Sequence, residues 1–282
     1  MEVTSLLERI TDRLKNVSGV EAVVLGGSRA RGTHTEKSDL DIGIYYRANR
    51  PLDLDALSEI ARQLDDLKRD SLVTPIGEWG PWINGGGWLQ VNGLGVDFLY
   101  RELEKVAETI EDCTHGMVRI DYQPGHPHGF VNSIYMGEIA VCRPLWDPKG
   151  LIAGLKAHTQ PYSPVLQQAT VAKFLWEAAF SADNASKGVS RGDISYIAGH
   201  LFRAVSCLTQ VLFALNGDYM LNEKGAVAYV ARFAIAPEQF ESRVQQAYTG
   251  LTVNGDDMLS AIAIIHELIG ETNELAAKRA PG

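Results

Sequence analysis

The sequence has 282 residues, of which 45% are hydrophobic and 22% are charged, and its formal net charge is −9 at pH 7. This composition is typical of a soluble globular protein with one large domain or two ordinary ones. We find no apolar run long enough to cross a membrane, no signal-peptide layout at the charged N-terminus and only three scattered cysteines, so we expect a cytoplasmic protein without a membrane partner or a disulfide framework.

The first half of the sequence alternates between amphipathic segments and short apolar runs. Leucine and isoleucine recur at three- and four-residue spacing in the amphipathic segments, which predicts helices packed on a sheet. Short apolar runs, two of them joined by an Asn-Gly turn, predict strands. In chain order we predict a helix over residues 3–16, a strand over 20–25, a glycine-rich turn over 26–32, a strand over 39–46, a helix over 53–70, a short strand over 71–75, a hairpin over 88–100 and a helix over 101–112.

The second half differs, because long apolar-periodic segments with few helix breakers dominate from residue 165 onward. Before them, residues 134–142 predict either a strand or the beginning of a helix, and residues 147–150 predict a linker. We therefore predict an α+β chain with two domains, a mixed-sheet domain over residues 1–150 and an all-α helical bundle over residues 151–282. The four long helices are predicted over residues 165–186, 194–215, 237–249 and 256–278.

The glycine-rich turn has the sequence Gly-Gly-Ser-Arg-Ala-Arg-Gly over residues 26–32 and follows a predicted buried strand. Glycine allows the backbone to pass close to a ligand. Ser28 can cap a short helix that begins at Arg29. Because a helix N-terminus offers free N–H groups and a positive potential, this turn is suited to binding phosphate. It is not a P-loop, since no Gly-Lys-Ser/Thr follows the glycines.

Two acidic residues begin the next predicted strand. Side chains alternate along a strand, so Asp39 and Asp41 share one face. Two carboxylates held side by side near a phosphate-binding turn suit Mg²⁺ that carries a nucleoside triphosphate. The pattern therefore predicts a site for a magnesium–nucleotide complex.

The spacing of these motifs resembles that of a known enzyme family. Gly27-Ser28, ten intervening residues and the Asp39-x-Asp41 pair are similar to the signature of the DNA polymerase β superfamily of nucleotidyltransferases. The stretch from Gly27 to Gly32 resembles its kanamycin-type (aminoglycoside) branch. The resemblance covers about the first hundred residues and implies a mixed-sheet catalytic domain followed by a helical domain. It also implies transfer of a nucleoside monophosphate, such as AMP from ATP or another triphosphate, to a hydroxyl, with release of pyrophosphate.

The resemblance implies a role for each motif residue. Asp39 and Asp41 would hold two Mg²⁺ ions, and Gly27 and Ser28 would hold the terminal phosphates. The superfamily carries a third carboxylate on a later strand, and Asp97, a lone acid in an apolar run, matches that place. Asp97 would bind metal and accept the proton of the attacking hydroxyl. The alternative is that Asp97 is a buried acid satisfied by hydrogen bonds.

Four further residues are candidates with a plain alternative beside each. Arg29 and Arg31 could each pair with a phosphate, but they point in different directions along a helix, so at most one should face the ligand and either could be a surface residue. Glu138 is a second candidate base, because aminoglycoside-modifying relatives use an extra glutamate; an ordinary exposed glutamate is the favoured alternative. Lys173 resembles a helix lysine that reaches the triphosphate in kanamycin-type enzymes, and a solvated helix face is the favoured alternative.

Other side chains could bind a metal or a ring, but their patterns are not specific. His115, His126 and His128 with Cys113 match no standard zinc spacing, so we expect no zinc site. Three tryptophans could stack on a base or sugar, and they could equally form core under a loop. These are Trp79, Trp82 and Trp88.

The charge distribution bears on the acceptor. Residues 1–150 hold 16 Lys/Arg against 23 Asp/Glu, and residues 151–282 hold 10 against 12. An acidic balance disfavours nucleic acid and favours a cationic acceptor. The expected acceptor is therefore a small hydroxylated molecule, such as an aminoglycoside-like antibiotic. A toxin-type transferase that modifies tRNA or protein, and a non-catalytic antitoxin or binding module, are the alternatives; the nucleobase and the oligomeric state stay open.

Overall fold

A computed structural model of the chain describes residues 3–279, which form two compact units. The sheet unit contains the described residues up to 111 together with residues 121–125 and 135–160. The helical unit contains residues 112–120, 126–134 and 161 onward. The chain thus crosses between the units repeatedly over residues 112–135, whereas the sequence suggested a single boundary at residue 150.

Seven strands form two sheets. Their bounds are β1 Ala22–Leu25, β2 Leu40–Tyr46, β3 Gly86–Val91, β4 Leu94–Glu102, β5 Ile120–Asp121, β6 Phe130–Val131 and β7 Arg143–Trp146. The main sheet has five strands in the order β3-β4-β2-β1-β7, and β5 pairs with β6 in a separate two-stranded sheet. In the main sheet β2 and β4 run parallel, and the other pairs are antiparallel. The predicted mixed sheet is confirmed.

The described chain also contains eleven α-helices. Their bounds are α1 Val3–Leu14, α2 Gly27–Arg31, α3 Leu54–Leu64, α4 Leu103–Thr114, α5 Ser133–Val141, α6 Leu151–Ala157, α7 Pro164–Ala185, α8 Ile194–Leu215, α9 Ala226–Val230, α10 Phe240–Thr249 and α11 Gly255–Ala277. Several begin at the caps that their sequences predict: the Asp53, Ser163, Asp193 and Asn254 side chains each accept an N–H of the first turn.

The sheet unit has its core on one side of the main sheet. Alternate strand residues, such as Ile42 and Phe98, are fully buried and share one hydrophobic cluster with residues of α1 and α3. The residues between them point to the opposite side of the sheet. The candidate carboxylates lie on that second side, so the core fixes their strands without enclosing their side chains.

The helical unit is organised around α8. This helix packs on α7 and α11 and is buried along most of its C-terminal half. Contrary to the sequence expectation, α8 is long and apolar enough to span a membrane by length and composition, because Arg203 is its only Lys, Arg, Asp or Glu residue. In its most apolar window 72% of the residues are buried inside the protein, as in the central helix of a bundle.

Three local predictions were wrong or incomplete. Residues 71–75 form no strand and make only a single bridge, between Val73 and Gly87. The predicted helix over 53–70 ends at Leu64, because the buried Asp65 carboxylate accepts N–H groups from Gln90 and Arg69 and turns the chain. Residues 134–141 are helical, and the short edge strand β7, which contains a proline, was missed.

Candidate active site

Two carboxylates meet because β2 and β4 are parallel neighbours. Their register places Asp41 directly beside Asp97, although the two residues are 56 positions apart in the sequence. Asp39 lies one residue before β2, next to β4, where a Cβ on Gly95 would overlap its Oδ1 atom. The strand pairing therefore brings all three predicted acidic residues to one end of the sheet.

The glycine-rich turn packs against the same carboxylates. The Gly26 N–H donates to the Asp41 carbonyl at 2.8 Å. Gly27 has a φ of +58°, and a Cβ at this position would overlap Oδ2 of Asp41. Glycine is therefore required at position 27 for two reasons: the backbone there is left-handed, and the Asp41 carboxylate lies too close to allow a side chain.

The helix after the turn begins earlier than the sequence suggested. Gly26 is its N-cap and makes no side-chain cap bond, so the prediction that Ser28 caps the helix was wrong. The reason is that Gly27 already has helical hydrogen bonding, which places Ser28 inside the first turn. The N–H groups of a first turn have no carbonyl partner within the helix. Gly27 and Ser28 thus present backbone donors beside Asp41.

The environment of Asp97 disfavours the ionised form of its carboxyl group. Burial, followed by the Asp41 and Asp39 charges, raises the pKa of its carboxyl to about 6. Among residues 3–279 no hydrogen-bond donor contacts this carboxylate. The alternative of a structural acid satisfied by hydrogen bonds therefore lacks the partners that it requires.

The donor chemistry of this cluster suits a hard divalent cation. The Asp97 carboxyl, whose pKa is raised by burial and by the charges of Asp41 and Asp39, is relieved by positive charge, and Mg²⁺ prefers oxygen ligands. Within the described range no three His, Cys, Asp or Glu side chains are already gathered closely enough to hold an ion. The residues therefore fit Mg²⁺ in type and charge, and the ligand geometry is not preformed.

The two arginines of the turn have different environments. The Arg29 guanidinium donates to backbone carbonyls of the loop that leads into β2, at 2.6 and 2.9 Å for Ser38, 3.2 Å for Asp39 and 3.4 Å for Glu36. Its donors thus hold the backbone next to Asp39. Arg31 is half-buried at the end of α2.

Glu138 lies in an ion pair that the sequence did not predict. The buried Arg101 guanidinium donates to both of its carboxylate oxygens, at 2.7 and 2.8 Å. Arg101 is on the same strand face as Asp97, four residues further along β4, and its ring neighbour is Tyr135, 5.5 Å away. The four-residue spacing of Asp97 and Arg101 was the available signal for a polar stripe on this face.

The remaining candidates divide between the two units. Lys173 belongs to α7 of the helical unit, so it is not among the side chains that the sheet unit brings together. Trp82 is core: it is buried, and its indole N–H donates to Asp121 at 3.0 Å. Trp79 and Trp88 instead stack on each other, with ring centroids 4.3 Å apart.

The residues considered for zinc lie in the helical unit. Cys113 is a buried free thiol. His126 Nδ1 lies 3.4 Å from a carboxylate oxygen of Glu223, and His128 Nε2 lies 3.9 Å from the sulfur of Cys207. Burial lowers the pKa of His128 to about 4. His126 and His128 thus contact different partners.

A comparison with protein families agrees with the site. A family model described as a nucleotidyltransferase domain matches residues 6–79, about a quarter of the chain, which include the glycine-rich turn and the aspartate pair. Residues 6–79 of the chain are therefore similar to a nucleotidyltransferase domain, which supports the predicted superfamily and enzyme class. The kanamycin-type branch is not distinguished by this match, and Asp97 lies beyond it.

Comparisons with curated proteins and with solved structures add no further support for a family. Among curated proteins, none matches the sequence at a significant level. Among solved structures, the chain is similar to a nucleotidyltransferase-like protein from Exiguobacterium sibiricum 255-15, at 9% identity and a TM-score of 0.46, over 98% of this chain and 81% of the other. Similarity at this level does not establish a common fold.

Proposed function

We propose that this protein transfers a nucleoside monophosphate from ATP or another nucleoside triphosphate to a hydroxyl group of a small cationic molecule, with Mg²⁺. The observation that carries the proposal is the pairing of Asp41 with Asp97 directly beside the Gly27 turn. Phosphate donors and acidic metal ligands are thus adjacent in one unit. The nucleotidyltransferase domain over residues 6–79 supports this class of reaction.

In the proposed reaction the acceptor oxygen attacks the α-phosphorus of the triphosphate. A new phosphorus–oxygen bond forms, the bond to the bridging oxygen of the β-phosphate breaks, and pyrophosphate leaves with the electron pair. The hydroxyl proton passes to a carboxylate oxygen of Asp97. Asp97 is placed for this role because the strand register sets it directly beside Asp41, at the metal-binding end of the sheet.

The chain's own groups mainly position the reactants. Gly27 and Ser28 N–H groups would hold the terminal phosphates, and Arg29 would keep the Asp39 loop in place. Asp39, Asp41 and Asp97 would hold two Mg²⁺ ions, which when bound neutralise the triphosphate charge and make the acceptor hydroxyl more acidic. Such positioning and charge neutralisation account for most of the catalysis of phosphoryl transfer.

Glu138 is not proposed as the base. Both of its oxygens accept hydrogen bonds from Arg101, so a proton acceptor at this position would first have to break an ion pair. Arg31 and Lys173 are retained as candidate phosphate contacts. The buried free thiols of Cys113, Cys142 and Cys207 support a reducing, cytoplasmic location.

The test is a labelling experiment. The protein is incubated with ATP labelled at the α-phosphate, Mg²⁺ and separate samples of amino-sugar antibiotics, tRNA and proteins. We expect label in the amino-sugar sample, and none with Asp39→Ala or Asp41→Ala, whose circular dichroism should match the parent. Label in tRNA or protein instead would support the toxin-type alternative, and metal-dependent ATP binding without any transfer would favour a binding module.

A further inference from the structure

The edge strand of the main sheet carries an aromatic surface to which the proposed reaction assigns no role. Trp88 of β3 pairs with Asp97 across the antiparallel ladder, so the two side chains lie on the same face as neighbours. Trp88 is 60% exposed, although tryptophan is a large apolar residue. Its ring stacks on that of Trp79 with an angle of 20° between the planes. We call these two side chains the indole pair.

The order of the groups across this face indicates which reactant the indole pair can contact. The strand order β3-β4-β2 places Trp88, Asp97 and Asp41 in sequence, with the Gly27 turn packed against Asp41. In an in-line displacement the attacking oxygen and the leaving group occupy opposite sides of the phosphorus. Because the leaving phosphates would lie at the Gly27 turn, the acceptor has to approach from the Asp97 side, where Trp88 stands.

We propose that the indole pair is the acceptor-binding surface and that it holds the flat face of a cationic amino-sugar ring. This inference rests on the proposed function. An indole face carries negative electrostatic potential, so it attracts ammonium groups as well as the C–H face of a sugar ring. The nearby carboxylates Asp39, Asp41 and Asp97 give the same side of the sheet a negative charge that favours a cation.

The indole pair is held in place before any ligand binds. Trp79 fills space beside Gly86, where an added Cβ would lie 2.8 Å from its ring. Its loop is fixed by the buried amide of Gln123, which donates to the Trp79 carbonyl at 2.6 Å and accepts the Trp82 N–H at 3.1 Å. A preorganised surface loses little conformational entropy on binding, which favours affinity.

One nearby cation does not oppose this assignment. Arg69 approaches the Trp88 carbonyl, with its Nη2 atom 3.5 Å from the oxygen. Its guanidinium also donates to both oxygens of the buried Asp65 carboxylate, at 2.6 and 3.0 Å. The charge of Arg69 is thus compensated, and a cationic acceptor would not meet an unpaired positive group at this strand.

The experiment measures the binding of two ligands separately by isothermal titration calorimetry. The first ligand is Mg-ATP, and the second is kanamycin, used as the amino-sugar probe in the presence of Mg²⁺ and α,β-methylene-ATP. Trp88→Leu keeps an apolar residue without a π face, and Trp88→Phe keeps the π face. Trp176→Leu is the matched control, because Trp176 is 67% exposed and stacks on Phe180 in the helical unit.

We expect Trp88→Leu to weaken kanamycin binding about tenfold, which corresponds to about 1.4 kcal/mol, and to change Mg-ATP affinity less than about twofold. Trp88→Phe should retain most of the kanamycin affinity, and Trp176→Leu should match the parent for both ligands. Equal kanamycin affinity in Trp88→Leu and the control would overturn the proposal. Loss of Mg-ATP affinity instead would also overturn it and would assign the indole pair to the nucleobase.

The outcomes separate this inference from the proposed function. A parent protein that binds Mg-ATP but not kanamycin would refute the acceptor surface while leaving a nucleotidyltransferase with another acceptor. A parent protein that binds no Mg-ATP would refute the proposed function itself. If Trp88→Leu does not fold, as judged by circular dichroism, Trp88→Thr replaces it, because threonine suits an exposed strand position and has no π face. The same loss of kanamycin affinity is expected, and kanamycin affinity equal to that of the control would overturn the proposal.

Discussion

Asp97→Asn tests whether the central carboxylate is a strained functional group or a structural one. Asparagine has nearly the shape of aspartate but carries no charge. In the metal-free protein the Asp97 carboxyl has its pKa raised from 3.8 to about 6 by burial and by the Asp41 and Asp39 charges. The folded state therefore disfavours the ionised form, and the neutral variant should be more stable at a pH where the parent is ionised.

The size of the effect follows from the shift in pKa. A difference of about two units corresponds to roughly 3 kcal/mol at most, at 1.36 kcal/mol per unit. Because the side chain is partly exposed, solvent screening reduces this figure to about 1–2 kcal/mol. For a chain of this size that gain is roughly 2–3 °C in melting temperature, at about 2.1 cal/mol/K per residue for the entropy of unfolding.

The gain should depend on pH with a defined sign. At pH 8 Asp97 is ionised in both the folded and the unfolded chain, so the parent bears the full cost and Asp97→Asn shows its full advantage. As the pH falls below about 6 the folded parent takes up a proton, and near pH 4 the advantage should be nearly gone. Circular dichroism melts at pH 8 and pH 4 with EDTA measure both values, and Asp70→Asn, with a side chain 88% exposed, is the control.

A second measurement connects stability with activity. Loss of a base and metal ligand should lower the single-turnover rate by about 10²–10⁴ even though the variant is more stable. A variant that loses about 1–3 kcal/mol equally at both pH values, and still turns over at a rate near that of the parent, would show that Asp97 is a hydrogen-bonded structural acid and refute the reasoning.

Three other substitutions test the residues around the carboxylates. Gly27→Ala should weaken Mg-ATP binding at least about tenfold in a calorimetric titration, because its Cβ would overlap Asp41 Oδ2. Arg29→Ala should lower kcat about tenfold and change KM for ATP less than about threefold, because it frees the loop before β2 without removing a phosphate ligand. Glu138→Gln should lower the free energy of unfolding by about 2–3 kcal/mol in urea, because Arg101 stays buried without its charge partner, while kcat of the folded fraction stays within about threefold.

Each of these expectations has a result that contradicts it. Gly32 also has a positive φ, +80°, but an added Cβ meets nothing within 4 Å, so Gly32→Ala is the control for backbone strain alone. Equal ATP affinity in Gly27→Ala and Gly32→Ala would mean that the turn does not approach the nucleotide. A rise in KM with unchanged kcat would return Arg29 to a phosphate-binding role. A stable but nearly inactive Glu138→Gln protein would identify Glu138 as the base.

Local patterns were sufficient to predict most of the elements. Helix α1 and the long helices of the second half follow from apolar spacing, and the β3–β4 hairpin follows from the Asn-Gly turn. The glycine-rich turn and the acidic strand were found because their signal is contained in a short stretch of sequence. The match of residues 6–79 to a nucleotidyltransferase domain agrees with that part of the site.

The features that could not be predicted from the sequence depend on contacts between residues that are far apart in the chain. Helix α3 ends before Asp65, because the Asp65 carboxylate accepts a hydrogen bond from the N–H of Gln90 in β3. The role of Glu138 depends on its ion pair with Arg101, 37 positions away, and no sequence pattern near Glu138 predicts this partner. Arg29 was one of two arginines considered for a phosphate contact, with a surface position as the alternative, whereas its donors contact a backbone loop whose path no local pattern predicts.

The distribution of residues on β2 and β4 explains how a cluster of like charges is held together. Leu40 and Ile42 flank Asp41, Val96 and Phe98 flank Asp97, and all four apolar side chains are fully buried on the opposite face. Because side chains alternate, the register that buries these four residues also forces the two carboxylates into adjacent positions. A slip of one residue in either strand would move an aspartate into the core, where an unpaired charge is far more costly. The hydrophobic face therefore selects the register, and the repulsion between the carboxylates is a consequence that bound cations would relieve.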